Sequence, residues 1–91
     1  MKRVLKYTLP VYATLSEAHE IEVQKDSVFL KAVNQKDNLA LYFEVDINKE
    51  SETLSFMCLH TGDSKPANPS NYVDTILFNS GEYVLHIYRL I

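Results

Sequence analysis

The chain has 91 residues, 46% of them apolar, and a formal net charge of −3. This length predicts a single domain, residues 1–91, near the low end for a self-sufficient core. The net charge gives no general attraction to long nucleic acids or anionic membranes, which require clustered Lys and Arg. Cys58 is the only cysteine, which excludes an internal disulfide and a cysteine-based metal site. With no export signal and no apolar run of ~20 residues, a cytoplasmic protein is expected.

Apolar and polar residues alternate along almost the whole chain, which predicts strands because successive side chains on a strand point to opposite faces. Pro10 cannot donate to a strand ladder, so it indicates an edge or a strand end. Lys36-Asp37-Asn38 is typical of a tight hairpin turn. The predicted strands are Arg3–Val11, His19–Gln24, Val28–Gln35, Leu39–Asp46, Thr53–His60, Tyr72–Phe78 and Glu82–Leu90. About seven strands separated by turns predict an all-β fold, a small antiparallel β-sandwich or open barrel.

The last strand is apolar on both faces over Tyr83–Ile91. A strand of a small sandwich normally needs only one apolar face. Either this strand is central and covered twice, or its outer face meets another subunit, since a bare apolar edge invites aggregation. The pattern favours a homo-oligomer, and loops that cover the second face are the alternative.

The long irregular segment from His60 to Pro69 is the best candidate for a site, because connections of this length are uncommon unless they are functional or disordered. Gly62 can adopt a positive φ, and amides around such a glycine can bind an anion. Lys65 adds a positive charge. The alternative is a proline-stiffened crossover between two sheets. Tyr72 follows the segment and suits stacking on a ligand.

Little in the sequence supports catalysis. His19, His60 and His86 have no metal-ligand spacing, and no Asp or Glu stands at a motif distance from them. His86 is expected on the same strand face as Val84 and Tyr88, which favours a structural role. With no metal triad and no nucleophile–base pair apparent, we expect a protein without a catalytic site, metal or cofactor.

Several stretches together resemble a widespread family of small phage-encoded β-proteins long labelled uncharacterised. In chain order they are Leu5–Val11, His19–Glu22, Thr61-Gly62, Tyr72–Thr75 and Tyr83–Tyr88. The chain departs from the family pattern where Asp63-Ser64-Lys65-Pro66 replaces a His-Pro step, where Asp74 replaces Gly and where Leu85 replaces Trp. These departures lie at the candidate site and leave the ligand open.

The chain is also similar in size and style to viral sponge proteins of the anti-CBASS class, which sequester cyclic-oligonucleotide immune signals. This resemblance implies a homo-oligomer that binds a small nucleotide, such as a cyclic dinucleotide, in the host cytoplasm during phage infection. It implies that Thr61, Gly62 and Lys65 hold phosphate, that Tyr72 stacks a base, and that His60 and Arg89 complete the site from strand ends. The alternative is a structural or interaction module that docks by an exposed strand edge within Tyr83–Ile91.

Overall fold

A computed structural model describes residues 1–10, 18–65, 69–78, 81 and 83–91. It contains seven strands, which confirms the predicted all-β class: β1 Lys2–Pro10, β2 Ala18–Gln24, β3 Val28–Gln35, β4 Asn38–Asp46, β5 Ser51–Leu59, β6 Ser70–Phe78 and β7 Tyr83–Leu90. Val11 and Glu82, predicted as strand residues, lie outside the described part. Over the described ranges, no helix is long and apolar enough to cross a membrane.

The strands form two antiparallel sheets, which makes the fold a small β-sandwich. One sheet has the order β1-β4-β3 and the other the order β2-β5-β7-β6. β1 is an edge strand, as Pro10 indicated, and Pro10 lies opposite Asn38. β7 is central, and His86–Leu90 are paired with both β5 and β6. Over His86–Leu90, ladder partners occupy both sides of the strand, so this part of β7 is not an exposed edge to which another protein could dock.

The core lies between the inner faces of the two sheets, and Phe43 of β4 is at its centre. Its ring makes edge-to-face contacts with Tyr7, Phe29 and Phe56 at centroid distances of 5.7, 5.5 and 6.4 Å. The inner face of β1 contributes to this core, because Leu9 is buried and Tyr7 packs against the core. Burial also raises the pKa of the Tyr7 hydroxyl above its ordinary value. The buried members of this core are Leu9, Ile21, Val23, Ala32, Leu39, Leu41, Phe43, Val45, Leu54, Phe56, Cys58, Ile76, Phe78, Leu85 and Ile87.

The predicted tight turn between β3 and β4 is a two-residue hairpin. Lys36 and Asp37 both have positive φ, at 51° and 63°, and this sign at both central positions is typical of a type I′ turn. The Asp37 amide donates to Asn34 Oδ1 at 2.9 Å. Lys36-Asp37 differs from the Asn-Gly pair that this turn prefers, so the hairpin retains backbone strain.

Replacing Asp37 with Gly should stabilise the protein, because glycine adopts positive φ without a Cβ penalty. The expected gain in unfolding free energy is on the order of 1 kcal/mol, and urea unfolding measures it. Asn38→Gly is the matched control one residue later in β4, where glycine should destabilise instead. Equal effects of the two substitutions would contradict the turn assignment.

The turn at Lys25-Asp26-Ser27 carries the chain from β2 in one sheet to β3 in the other. Asp26 has a φ of 60°, and its Oδ2 lies 2.6 Å from Lys49 Nζ. The hydrogen bond and charge of Lys49 lower the pKa of Asp26 below its ordinary value, and Asp26 in turn raises the pKa of Lys49. This exposed ion pair links the turn to the connection between β4 and β5.

The Asp26–Lys49 pair should add stability that depends on pH. Because the folded-state pKa of Asp26 is lowered, its contribution is complete above the unfolded pKa of about 3.9 and is lost as pH falls through the folded value. Asp26→Asn should lower the melting temperature at neutral pH, and the difference from wild type should vanish in acid and in about 1 M salt. Asp37→Asn, at a second turn position of positive φ, is the control that should show no such pH dependence.

Candidate functional site

The segment 60–69 joins two strands of one sheet. β5 and β6 are both antiparallel to β7, so they run parallel to each other, and the chain must return across β7. Leu59 lies opposite His86 and Ser70 opposite Leu90, a span of roughly 13 Å along β7. The predicted alternative, a crossover between two sheets, is therefore wrong. Of the described residues of this segment, 60–65 lie on the outer face of β7 and cover part of it, in agreement with the alternative in which loops cover the second face.

A chain of hydrogen bonds fixes this crossover to the sheet through His86. Its Nε2 lies 2.8 Å from Thr61 Oγ1 and its Nδ1 lies 3.0 Å from Thr75 Oγ1. Thr75 Oγ1 lies in turn 2.6 Å from the hydroxyl of Tyr72. In a neutral imidazole one nitrogen donates and the other accepts, so both hydroxyls can be satisfied at once. The predicted structural role of His86 agrees with this geometry.

A β-bulge in β6 makes the chain of bonds possible. Tyr72 lies opposite Tyr88 and Thr75 opposite His86, so both belong to the outer face although three positions separate them. In a regular strand, residues three apart point to opposite faces. The register shift between Tyr72 and Asp74 removes this conflict, and Val73 packs against the core. Bulges characteristically redirect side chains in this way.

The sequence indicated no nucleophile–base pair, but the fold brings a hydroxyl and an imidazole into contact. Thr61 and His86 meet across 25 sequence positions. In a Ser-His-Asp triad, a carboxylate on the second imidazole nitrogen stabilises the imidazolium that forms. Here that nitrogen faces the neutral hydroxyl of Thr75. The nearby carboxylate of Asp74 instead accepts from the Thr75 amide at 2.8 Å. The arrangement is suited to holding the crossover rather than to moving a proton.

The first turn of the crossover is closed by Asp63. The His60 amide donates to Asp63 Oδ2 at 2.9 Å, and the Asp63 amide donates to the His60 carbonyl at 3.1 Å. Gly62 has a φ of 97°, the positive value that was predicted. Asp63 Oδ2 also lies 3.9 Å from His60 Nδ1, so the expectation that no acid stands near a histidine is wrong. Two of the amides proposed for anion binding are thus bonded internally.

His60 is held from two sides. Its ring meets Tyr83 edge-to-face at a centroid distance of 4.9 Å, in addition to its contact with Asp63. The Nε2 atom is buried and has no hydrogen-bond partner among the residues that the structure describes. A buried polar nitrogen without a partner is costly, so this atom is a candidate contact for a ligand or an ordered water.

A cavity of about 200 Å³ lies beneath the crossover, and we call it the crossover cavity. It is lined by Leu59, His60, Thr61, Gly62, Asp63, Lys65, His86 and Tyr88. Lys65 Nζ lies 6.0 Å from the centre of the Tyr88 ring, at the limit of a cation–π contact. Tyr88 meets Tyr72 edge-to-face at 5.8 Å, and Tyr72 is 58% exposed. The structure therefore brings His60, Thr61, Gly62 and Lys65 together, and Tyr72 adjoins them through Tyr88.

Arg89 belongs to a different and larger cavity of about 470 Å³, which we call the mouth cavity. It opens between the two sheets at the end where β6 begins and β7 ends. Its lining consists of Asp26, Ser27, Phe29, Phe43, Glu52, Leu54, Phe56, Asn71, Tyr72, Val73 and Arg89. Sequence analysis missed this cavity because five strands and a turn contribute to it and no local motif marks it. The sequence did contain a signal for it, because Arg89 lies on the same face of β7 as the buried Leu85 and Ile87.

The protein is thus a small antiparallel β-sandwich in which these two open cavities lie on opposite faces of one sheet. In the described residues, no three His, Cys, Asp or Glu side chains lie close enough together to hold a metal ion. A family model described as a domain of unknown function, DUF7352, matches residues 1–91, so the chain belongs to that family. No curated protein and no solved structure matches the chain.

Replacing Thr61 with Val should weaken the attachment of the crossover while keeping the side-chain shape. Loss of the bond to His86 should cost about 1 kcal/mol of unfolding free energy, and the amides of His60 and Asp63 should exchange hydrogen faster. Thr53→Val on β5 is the matched control, because Thr53 is an exposed strand residue away from the crossover. Indistinguishable exchange in the two variants would show that Thr61 does not hold the segment.

Proposed function

We propose that the protein binds a small nucleotide, without turning it over, on the outer face of β6 and β7. The observation that carries this proposal is the position of Lys65 beside Tyr88, next to the exposed ring of Tyr72. A nucleotide joins a flat base to a phosphate. This surface offers a ring for stacking and a cation, separated only by the side chain of Tyr88. Stacking of a base on an aromatic residue contributes about 1–3 kcal/mol.

The crossover cavity suits the phosphate part of such a ligand. Its volume of about 200 Å³ is below the roughly 300–1,000 Å³ of sites that enclose a whole small molecule. The base would therefore lie outside, on Tyr72, while Lys65 and the Thr61 hydroxyl contact a phosphate oxygen. Asp63 adds a negative charge to the same cavity. This carboxylate favours a single diester phosphate at Lys65 over a run of phosphates, which agrees with a cyclic nucleotide.

The role proposed for this binding is sequestration of a cyclic-nucleotide immune signal by a phage protein in the cytoplasm of the infected host. A sponge of this kind acts by mass action, so it needs tight binding and no turnover. The resemblance to small phage β-proteins and to anti-CBASS sponges supports the role. The net charge of −3 disfavours long nucleic acid as the alternative ligand.

A homo-oligomer remains part of the proposal, and the apolar surface near the site supports it. Leu77 of β6 is 59% exposed and Ile91, just after β7, is 77% exposed. Val84 and Leu90 on the outer face of β7 are only half-buried. A second copy that covered these side chains would also enclose the exposed side of Tyr72 and increase the contact area of the ligand.

Calorimetric titration against a panel of cyclic dinucleotides, including cyclic GMP–AMP, tests the proposal. Lys65→Ala should weaken binding by about 1–3 kcal/mol, the range for a charged hydrogen bond. Tyr72→Ala should cost a similar amount through lost stacking. Lys31→Ala and Tyr42→Ala are matched controls on the other sheet and should bind as wild type does. The proposal is wrong if no member of the panel gives either a binding heat or a thermal shift.

A further inference from the structure

We propose that the mouth cavity is a second, separate ligand site, which binds a small aromatic monocarboxylate. The site lies on the inner side of the β2-β5-β7-β6 sheet, whereas the nucleotide site proposed above lies on its outer side. Tyr72 borders both sites, but Arg89 and the phenylalanine floor, which carry this proposal, are not part of the nucleotide site, so the proposal stands without it.

The floor of the mouth cavity is aromatic. Phe29, Phe43 and Phe56 all line it, and the Phe43 ring meets the other two edge-to-face at centroid distances of 5.5 and 6.4 Å. Leu54 and Val73 add aliphatic surface. Aromatic pairs prefer offset or edge-to-face geometry, and a fourth flat ring placed against these three side chains would continue the same arrangement. An apolar floor of this type selects a ligand with a flat apolar body.

The rim of the cavity supplies one unpaired cation. Arg89 lines the cavity, is exposed, and has no ion pair within the described ranges. Its backbone is held between Phe56 of β5 and Asn71 of β6, so the base of the side chain is fixed by two ladders. A guanidinium presents paired donors that match the two oxygens of a carboxylate. Arg89 is therefore a suitable receptor for a ligand carboxylate above the aromatic floor.

Two carboxylates on the same rim limit the charge of the ligand. Glu52 and Asp26 both line the cavity, and Asp26 is already bonded to Lys49 at 2.6 Å. The group facing Arg89 brings one negative charge, and each further charge would lie near one of these carboxylates at an energetic cost. A monocarboxylate can pair with Arg89 without placing charge near the rim carboxylates, whereas a nucleotide with several phosphate charges cannot. The volume of about 470 Å³ lies within the usual range for small-molecule sites.

Protein-observed NMR with phenylacetate and indole-3-acetate as probes tests this site. The signals of Leu54 and Phe29 should shift in a saturable manner, and phenylacetamide, which lacks the charge, should bind at least tenfold more weakly. Arg89→Gln should weaken phenylacetate binding by about tenfold or more, which converts to about 1.4 kcal/mol, within the range for a charged hydrogen bond. Lys31→Gln, at an exposed lysine of the other sheet, should leave the titration unchanged.

A variant that fills the cavity gives a second readout. Ser27→Trp places a large ring at the entrance and should abolish probe binding without lowering the melting temperature. Lys65→Ala should leave phenylacetate binding unchanged, and Arg89→Gln should leave nucleotide binding unchanged, so the two proposals can fail separately. Absence of saturable shifts at Leu54 and Phe29, or equal affinity for phenylacetate and phenylacetamide, would overturn the assignment.

Discussion

The pairing of β7 with both β5 and β6 is the constraint on which the arrangement of the sites depends. Because both neighbours are antiparallel to β7, the chain must cross that strand between them. The crossing needs roughly 16 Å, which combines roughly 13 Å along β7 with two strand spacings across it, whereas ten extended residues would reach roughly 33 Å. The surplus length forms the closed turn from His60 to Asp63 and leaves Lys65 above Tyr88. Strand order thus requires a connection across β7, and the length beyond that requirement supplies the side chains of the crossover cavity.

The same sheet separates two kinds of chemistry. Alternation along β7 places His86 and Tyr88 outside, under the crossover, and places Arg89 on the side of the buried Leu85 and Ile87. One strand therefore supplies a hydroxyl-bonded imidazole to one cavity and a guanidinium to the other. The bulge in β6 adds Tyr72 next to Tyr88 while Val73 stays with the core. A change of one residue in the β6 register would break both arrangements.

Alternation is a local property, and the sequence predicted what depends on it. The seven strands and the turn at Lys36-Asp37 follow from neighbouring residues and were predicted close to their observed positions. The strand order follows from pairings between distant segments, which no local pattern encodes. For that reason the sequence left open whether β7 is central or presents a face to another subunit, and the contact between Thr61 and His86 was not foreseen.

The grouping of Lys65 and Arg89 into one site shows how residue type misleads when the face is ignored. Both are cations near the end of a strand or loop, yet they lie in different cavities. Each cation also has a nearby carboxylate in its cavity, Asp63 with Lys65 and Glu52 with Arg89. A cation balanced in this way attracts one negative charge strongly and a second one weakly. The linings of both cavities therefore disfavour ligands with several negative charges, a property that the net charge of the chain alone does not indicate.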